Sequence, residues 1–276
     1  MRERCRQDCA GCTHDVITMT LLEGETVYLA DRSGNRIWIR ISYEMLKIAS
    51  LGTVDGSRFR DLDDGSCLSI AGKEYFVFRP GTKELMESLD RGAQIICPKD
   101  AATILFNCDI RSGNTVLEVG AGSGGLTTAL LNAILPSGKV HTLEFKEDNV
   151  KRAMKNIRRT GLDRYWEYTI GDARNIKADV TADALITDMP DPWLALDNLC
   201  CSLRQGGRIC SYVPNMNQAE KTVLAMREKG FAEIYALENI QRGLEVHPGG
   251  VRPSFETLGH TGYLIFGRKV SGAAKN

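Results

Sequence analysis

The stretch Val116-Leu-Glu-Val-Gly-Ala-Gly-Ser-Gly-Gly-Leu-Thr127 constrains the fold more than any other part of the chain. Val116–Val119 is a short apolar-rich run of the kind that forms a buried parallel strand. Gly120, Gly122, Gly124 and Gly125 follow, and a helical pattern opens at about Leu126. Glycine supplies backbone angles closed to other residues and lets the chain press against a ligand with no Cβ between them. A strand, a glycine turn and a helix N-terminus in succession form a cradle for a nucleotide-like ligand. The spacing is G-x-G-x-G-G, not the dinucleotide pattern G-x-G-x-x-G. That departure favours S-adenosylmethionine over NAD.

The chain has 276 residues, enough for one large domain and a small one. Its formal net charge is zero, so any contact with nucleic acid must use local basic patches rather than a global field. The nine cysteines are odd in number, and most lie in apolar stretches, as Cys97, Cys108, Cys200, Cys201 and Cys210 do. Such thiols suit a reducing compartment. No run approaches a membrane span, and Met1-Arg-Glu-Arg-Cys5 lacks the apolar core of a signal peptide. A cytoplasmic protein without membrane contact is expected.

Residues 1–16 are expected to form a flexible Cys-rich tail, and 17–80 a small β-barrel-like domain. Thr26–Leu29, Ile37–Ile41 and Tyr75–Phe78 read as its strands, with a turn at Ser33-Gly-Asn35. Residues 81–100 read as a linker helix, Thr82–Asp90, and a segment bordering the cofactor pocket. From 101 to 270 the period changes. Strands at 115–119, 139–144, 166–170, 183–187 and 207–213 alternate with helical patterns at 125–135, 147–160, 193–203 and 217–229. Alternation of this kind makes an α/β fold with a parallel sheet between helices. The chain closes with two strands, Glu233–Ile240 and Thr261–Arg268, without a helix between them, and a tail at 271–276. A mostly parallel seven-stranded, Rossmann-like sheet ending in an antiparallel hairpin is the plan of class I S-adenosylmethionine-dependent methyltransferases.

Ligands of such sheets bind beyond the carboxyl ends of the strands. The turn residues Gly120, Gly122, Ser123, Gly124, Gly125 and Leu126 are therefore assigned to the cofactor. Glu144 closes the second strand, where a carboxylate can take both ribose hydroxyls; an acid starting the next helix is the alternative. Asp172 follows the third strand and can accept from an adenine amino group while Ala173 offers its N–H, unless Asp172 caps a helix. Asp188 ends the fourth strand, and Pro190 and Pro192 make the next loop rigid, extended and poor in donors. In methyltransferases acting on amino or ring nitrogens, a polar residue so placed faces the nucleophile. Trp193 is either a core anchor or a stacking platform. Lys151, Lys155 and Arg159, with Arg152 and Arg158, form a helical stripe that meets phosphates or simply faces solvent. His141 reads as structural. Cys5, Cys9, Cys12 and His14 have the spacing of a radical iron–sulfur motif and could equally hold zinc, but no barrel strand precedes them and no metal is assigned.

The chain closely resembles the tRNA (adenine-N1)-methyltransferases of bacteria and archaea, relatives of the catalytic subunit of the eukaryotic complex. The resemblance runs from about residue 20 to 269. It is carried by Arg91-Gly-Ala-Gln-Ile-Ile-Cys-Pro-Lys-Asp100, Val116–Thr127, Asp188-Met-Pro-Asp-Pro-Trp193, Tyr212-Val-Pro-Asn-Met-Asn-Gln218, and Arg252-Pro with His260-Thr-Gly-Tyr263. It implies methylation of adenosine 58 in the tRNA T-loop, and in some archaeal members of 57 too, by a homotetramer whose N-terminal β-domain helps grip the tRNA. It places Gln94 and Ile95 at the wall of the cofactor pocket and Asp188 at the target base. Family members often carry Tyr where Cys97 stands. Two other readings compete. A non-catalytic tRNA-binding subunit would have lost the glycine turn and Asp188, both intact here. A protein-directed, isoaspartyl-type methyltransferase leaves the Asp188–Trp193 and Arg252–Tyr263 segments unexplained.

Overall fold

Alternate burial builds the N-terminal unit. In a computed structural model, which describes residues 20–90, 92 and 95–271, Val27 and Leu29 of Thr26–Ala30 (β1) point inward. β1 pairs antiparallel with Arg36–Arg40 (β2), while Met45–Ile48 (β3) and Gly52–Asp55 (β4) form a ladder of their own. Cys67–Ile70 (β5) and Lys73–Phe78 (β6) complete a four-stranded sheet of order β2-β1-β6-β5. Leu21, Leu29, Ile41, Phe59 and Val77 fill its core. The chain divides into two compact units between Pro80 and Gly81.

The second unit opens with Thr82–Glu87 (α1) and Pro98–Asn107 (α2). Then come Thr115–Val119 (β7), Gly125–Ile134 (α3), Lys139–Glu144 (β8), Glu147–Arg158 (α4) and Trp166–Ile170 (β9). Ala182–Asp188 (β10), Leu196–Leu199 (α5), Leu203–Val213 (β11), Met216–Glu228 (α6) and Phe231–Glu238 (β12) continue the winding. Leu244–His247 (β13), Gly250–Pro253 (β14) and Tyr263–Lys269 (β15) end it. The seven-stranded sheet has the order β12-β15-β11-β10-β7-β8-β9; β15 runs antiparallel to both neighbours, and the strands from β11 to β9 are parallel. Both faces are covered, so β7 is buried on both sides. Val116 joins a core with Ile104, Leu130 and Ile157, while Leu117 joins one with Leu196, Leu199 and Met226. β7 lies between β10 and β8, where winding reverses, so its carboxyl end opens a crevice.

The structure refines four expectations. The helix expected at 193–203 is broken into a 3-10 turn at Pro192–Leu194, α5, and a second 3-10 turn at Cys200–Ser202. β11 starts at Leu203, ahead of the glycine pair 206–207 that suggested a later start. α2 was not anticipated: Pro98 stands in its first turn, where its missing N–H is harmless. The connection between the last two sheet strands is helix-free, as expected, but it carries the hairpin β13–β14, so β12 and β15 are neighbours without being a direct hairpin. Among the described residues, no helix is long and apolar enough to cross a membrane.

Leu130 of α3 is fully buried against the sheet. Leu130→Ala is expected to lower unfolding free energy by about 2–5 kcal/mol in a urea titration, the range for a core leucine truncation.

Candidate active site

The glycine turn is shaped by what it must pass. Gly120 has φ +95°, and a Cβ there would lie 2.2 Å from the main-chain carbonyl oxygen of Asp188. Only glycine lets β7 and β10 end this close together. Gly122 has φ +52° with open space on its Cβ side, and Gly124, at φ +82°, caps α3. A cleft of ≈ 440 Å³ opens beside the turn; Gly120, Gly122, Glu144, Asp172, Ala173 and Asp188 line it. Thus six of the residues assigned to the site from the sequence converge on one cavity. The others support the turn from behind. The Ser123 hydroxyl accepts from Gly92 N–H at 3.2 Å, its carbonyl accepts from Asn156 at 2.9 Å, and Leu126 is in the core. Ile95 packs on Gly125, 3.3 Å from where a Cβ would stand. Gln94 lies outside the described residues, as do Cys5, Cys9, Cys12 and His14.

Glu144 is buried, and its carboxylate already binds the turn. One oxygen accepts from Ala121 N–H at 2.9 Å and Gly122 N–H at 3.3 Å; the other accepts from Lys146 N–H at 2.8 Å. Two carboxylate oxygens offer about four lone-pair positions; three are taken, so one remains for a hydroxyl donor from the cleft. Phe145, next in sequence, also lines the cleft and is 65% exposed. The sequence reading missed it, although an aromatic directly after the strand-end acid was a visible signal. Asp172 is less free than expected. Arg174 donates to both its oxygens at 2.8–3.0 Å and reaches Asp191 at 2.9 Å. The guanidinium holds the Asp172 carboxyl below its usual range and ties the loop after β9 to the loop after β10.

Asp188 is ringed by protein yet opens onto the cleft. Desolvation, and then the charge of Glu144, push its pKa up to about 7; water entering the cleft mouth opposes the rise. Beneath it lies Glu118, fully buried, which the sequence reading passed over despite its being an acid inside an apolar strand. Thr127 and Thr142 hydroxyls donate to it at 2.7–3.0 Å, and Trp166 Nε1–H donates to Thr142 at 2.7 Å. Burial raises Glu118 to about 7 despite these bonds, and Asp188 and Glu144 add to the rise. The loop after Asp188 is pinned by Gln218, whose amide donates to Pro190 carbonyl at 2.6 Å. Trp193 is half-buried with Lys221 5.2 Å above its ring.

The basic stripe of α4 is largely committed locally: Lys151 pairs with Glu147 at 3.0 Å, Lys155 with Asp90 at 3.1 Å, and Arg159 donates to Ser88 carbonyl at 3.4 Å. His141 lies 3.3 Å from Glu167 on the neighbouring strand. No group of three or more His, Cys, Asp or Glu that could hold a metal occurs among the described residues.

A seven-stranded sheet of this order, with its cleft at the glycine turn, defines a class I methyltransferase. The structure superposes on a SAM-dependent O-methyltransferase of Thermotoga maritima with a TM-score of 0.82, 28% identity, and coverage of 92% of this chain and 96% of that one. The tRNA (m1A58) methyltransferase TrmI of Aquifex aeolicus gives 0.75 at 25% identity, covering 92% and 100%. Residues 75–251 match the family model of the tRNA methyltransferase complex GCD14 subunit. The tRNA (adenine(57)-N(1)/adenine(58)-N(1))-methyltransferase TrmI of Methanocaldococcus jannaschii is 33% identical over 267 residues, 87% of this chain and 93% of that one. The Thermus thermophilus tRNA (adenine(58)-N(1))-methyltransferase TrmI is 30% identical over 195 residues, 70% and 76% of the two chains. The chain belongs to the tRNA (adenine-N1)-methyltransferase family.

Two outcomes follow from this geometry. Gly120→Ala should reduce S-adenosylmethionine affinity at least tenfold by calorimetry, because its Cβ would collide with the Asp188 main-chain carbonyl and force the glycine turn itself out of shape. His260 hydrogen-bonds Glu238 at 2.5 Å and Pro214 carbonyl at 2.8 Å through its two ring nitrogens. Both contacts call for a donor, so the imidazolium is favoured, and Glu238 first among the causes raises its pKa. The stabilisation is complete below the unfolded value of about 6.5 and fades as pH rises through the folded one. His260→Gln should flatten the dependence of thermal stability on pH across that window.

Proposed function

We propose that this chain transfers a methyl group from S-adenosylmethionine to N1 of adenosine in the tRNA T-loop, at position 58 and, as the name of the archaeal relative suggests, at 57 as well. The observation that carries the reading is the placement of Asp188, a carboxylate at the carboxyl end of β10 that lies against Gly120 and lines a cleft of ≈ 440 Å³. We read the protein as a cytoplasmic homotetramer.

The residues present fit the cofactor. Volumes of this order hold a nucleoside-sized ligand. Gly122 leaves its side of the turn open, Glu144 retains one acceptor position for a ribose hydroxyl, and Phe145 offers an apolar face to a purine. Asp172 and Ala173 border the same region, with Asp172 reached only in competition with Arg174. S-adenosylmethionine supplies a methyl carbon made electrophilic by its sulfonium, so no metal is needed to activate it.

The protein's part is alignment and charge. A base inside the folded T-loop must leave its stack to enter the site. Asp188 accepts from the exocyclic N6 amino group and so turns N1 toward the methyl. With the cofactor bound, the N1 lone pair would take the methyl carbon as its bond to sulfur breaks and the electron pair leaves with the neutral thioether, with no proton moved; most of the acceleration comes from fixing the line of approach. The methylated base is cationic, and the Asp188 carboxylate stabilises the positive charge as it develops.

Incubation with unmodified tRNA and S-adenosylmethionine, followed by nuclease digestion and mass spectrometry, should yield 1-methyladenosine, and reverse-transcription stops should fall at 58 and 57. Absence of product across several tRNAs overturns the proposal. Asp188→Ala should keep cofactor affinity and lose turnover at least about a hundredfold. Because Asp188 acts as a carboxylate with a raised pKa, wild-type turnover should fall on acidification well before the ordinary carboxylate range near pH 4.

A further inference from the structure

Tyr212 stands beside the reacting residues and is held in an unusual way. It pairs with Asp188 in the parallel ladder between β10 and β11, so the two side chains leave the same face of the sheet, about 5 Å apart. Its ring is buried in the cluster that holds Ala121 of the glycine turn and Ile96. The phenol donates to the main-chain carbonyl of Thr261 at 2.5 Å. Gly262 completes the grip, since a Cβ there would stand 2.4 Å from ring carbon Cζ.

Thr261 is itself anchored by a buried ion pair. Its hydroxyl donates to Asp100 Oδ2 at 2.7 Å and accepts from Lys99 Nζ at 2.7 Å. Lys99 also donates to Asp100 Oδ1 at 2.8 Å and to Asn239 carbonyl at 2.6 Å, and so uses all three of its protons. Asp100 is fully buried and the Lys99 side chain is 11% exposed. Burying two charges costs desolvation that an apolar pair would avoid. What the ion pair does provide is direction: it fixes the first turn of α2, the end of β12 and the Thr261 peptide relative to one another.

We propose that Lys99, Asp100 and Thr261 are positioning residues that hold the Tyr212 ring rigid as the wall of the target-base pocket beside Asp188. The proposal rests on the adenine-methylating reading given above. Because its phenol is spent on the Thr261 carbonyl, Tyr212 acts through its ring face, not as a proton carrier.

The test combines turnover with a readout that needs no tRNA. Thr261→Val removes the hydroxyl at constant shape, and Tyr212→Phe keeps the ring but cuts its tether while leaving the ion pair whole. Each should lower kcat on tRNA tenfold or more with KM for S-adenosylmethionine within twofold of wild type. Thr261→Ser should restore kcat. The double variant Thr261→Val/Tyr212→Phe should be no slower than the slower single, because both break one chain of contacts. With ring-labelled tyrosine, NMR should show slow flipping of the Tyr212 ring in the wild-type protein and fast flipping in Thr261→Val. Unchanged kcat in Tyr212→Phe, multiplicative losses in the double variant, or equal flip rates would overturn the proposal. If the wild-type protein makes no 1-methyladenosine yet the ring is released as stated, the substrate reading fails and the positioning of Tyr212 stands.

Discussion

The approach of Gly120 to the Asp188 carbonyl is the contact on which the rest of the site depends. It sets the distance between the ends of β7 and β10, and with it the distance between the glycine turn and the Asp188 carboxylate. Any side chain at 120 would separate them, since its Cβ would fall 2.2 Å from the carbonyl oxygen. The surrounding sheet enforces the contact. Both strands are parallel, covered on two faces and packed into separate cores, so neither end can drift without disturbing packing on both sides.

Around that contact three acids lie close together. Glu118, Glu144 and Asp188 influence one another, and Glu118 and Asp188 are both lifted to about 7. The relief available to them is an incoming positive charge. A sulfonium donor and a base that becomes cationic on methylation both bring one, so the reaction places positive charge where these carboxylates crowd one another. Electrostatic stabilisation aimed at developing charge is commonly the largest single contribution to catalysis.

The alternation of strands and helices, the glycine turn and the acids at 144 and 188 were legible because each depends on local pattern. Residues tied together across the fold were not. Lys99 and Asp100 meet Thr261 from 161 and more positions away, and no periodicity announces such a meeting. Asp172 read as an open acceptor because the direction of the Arg174 side chain is decided by Asp191 on another loop. The helical pattern at 193–203 gave no sign that the segment breaks into 3-10 turns on either side of the four-residue α5. Glu118 was visible as an acid within an apolar run, yet only the hydroxyls of Thr127 and Thr142 explain how it is tolerated there.

Arg174 grips both Asp172 and Asp191, and so joins the wall of the cleft assigned to the cofactor's adenine to the loop that leads from Asp188 to Trp193. Any donor that claims Asp172 must first loosen a guanidinium shared with that loop. Loosening it alters the restraint on the loop, and by thermodynamic reciprocity whatever moves the loop alters the hold on Asp172. One side chain thereby gives the two halves of the cleft a common tension, so the first occupant to arrive changes the terms on which the second is received.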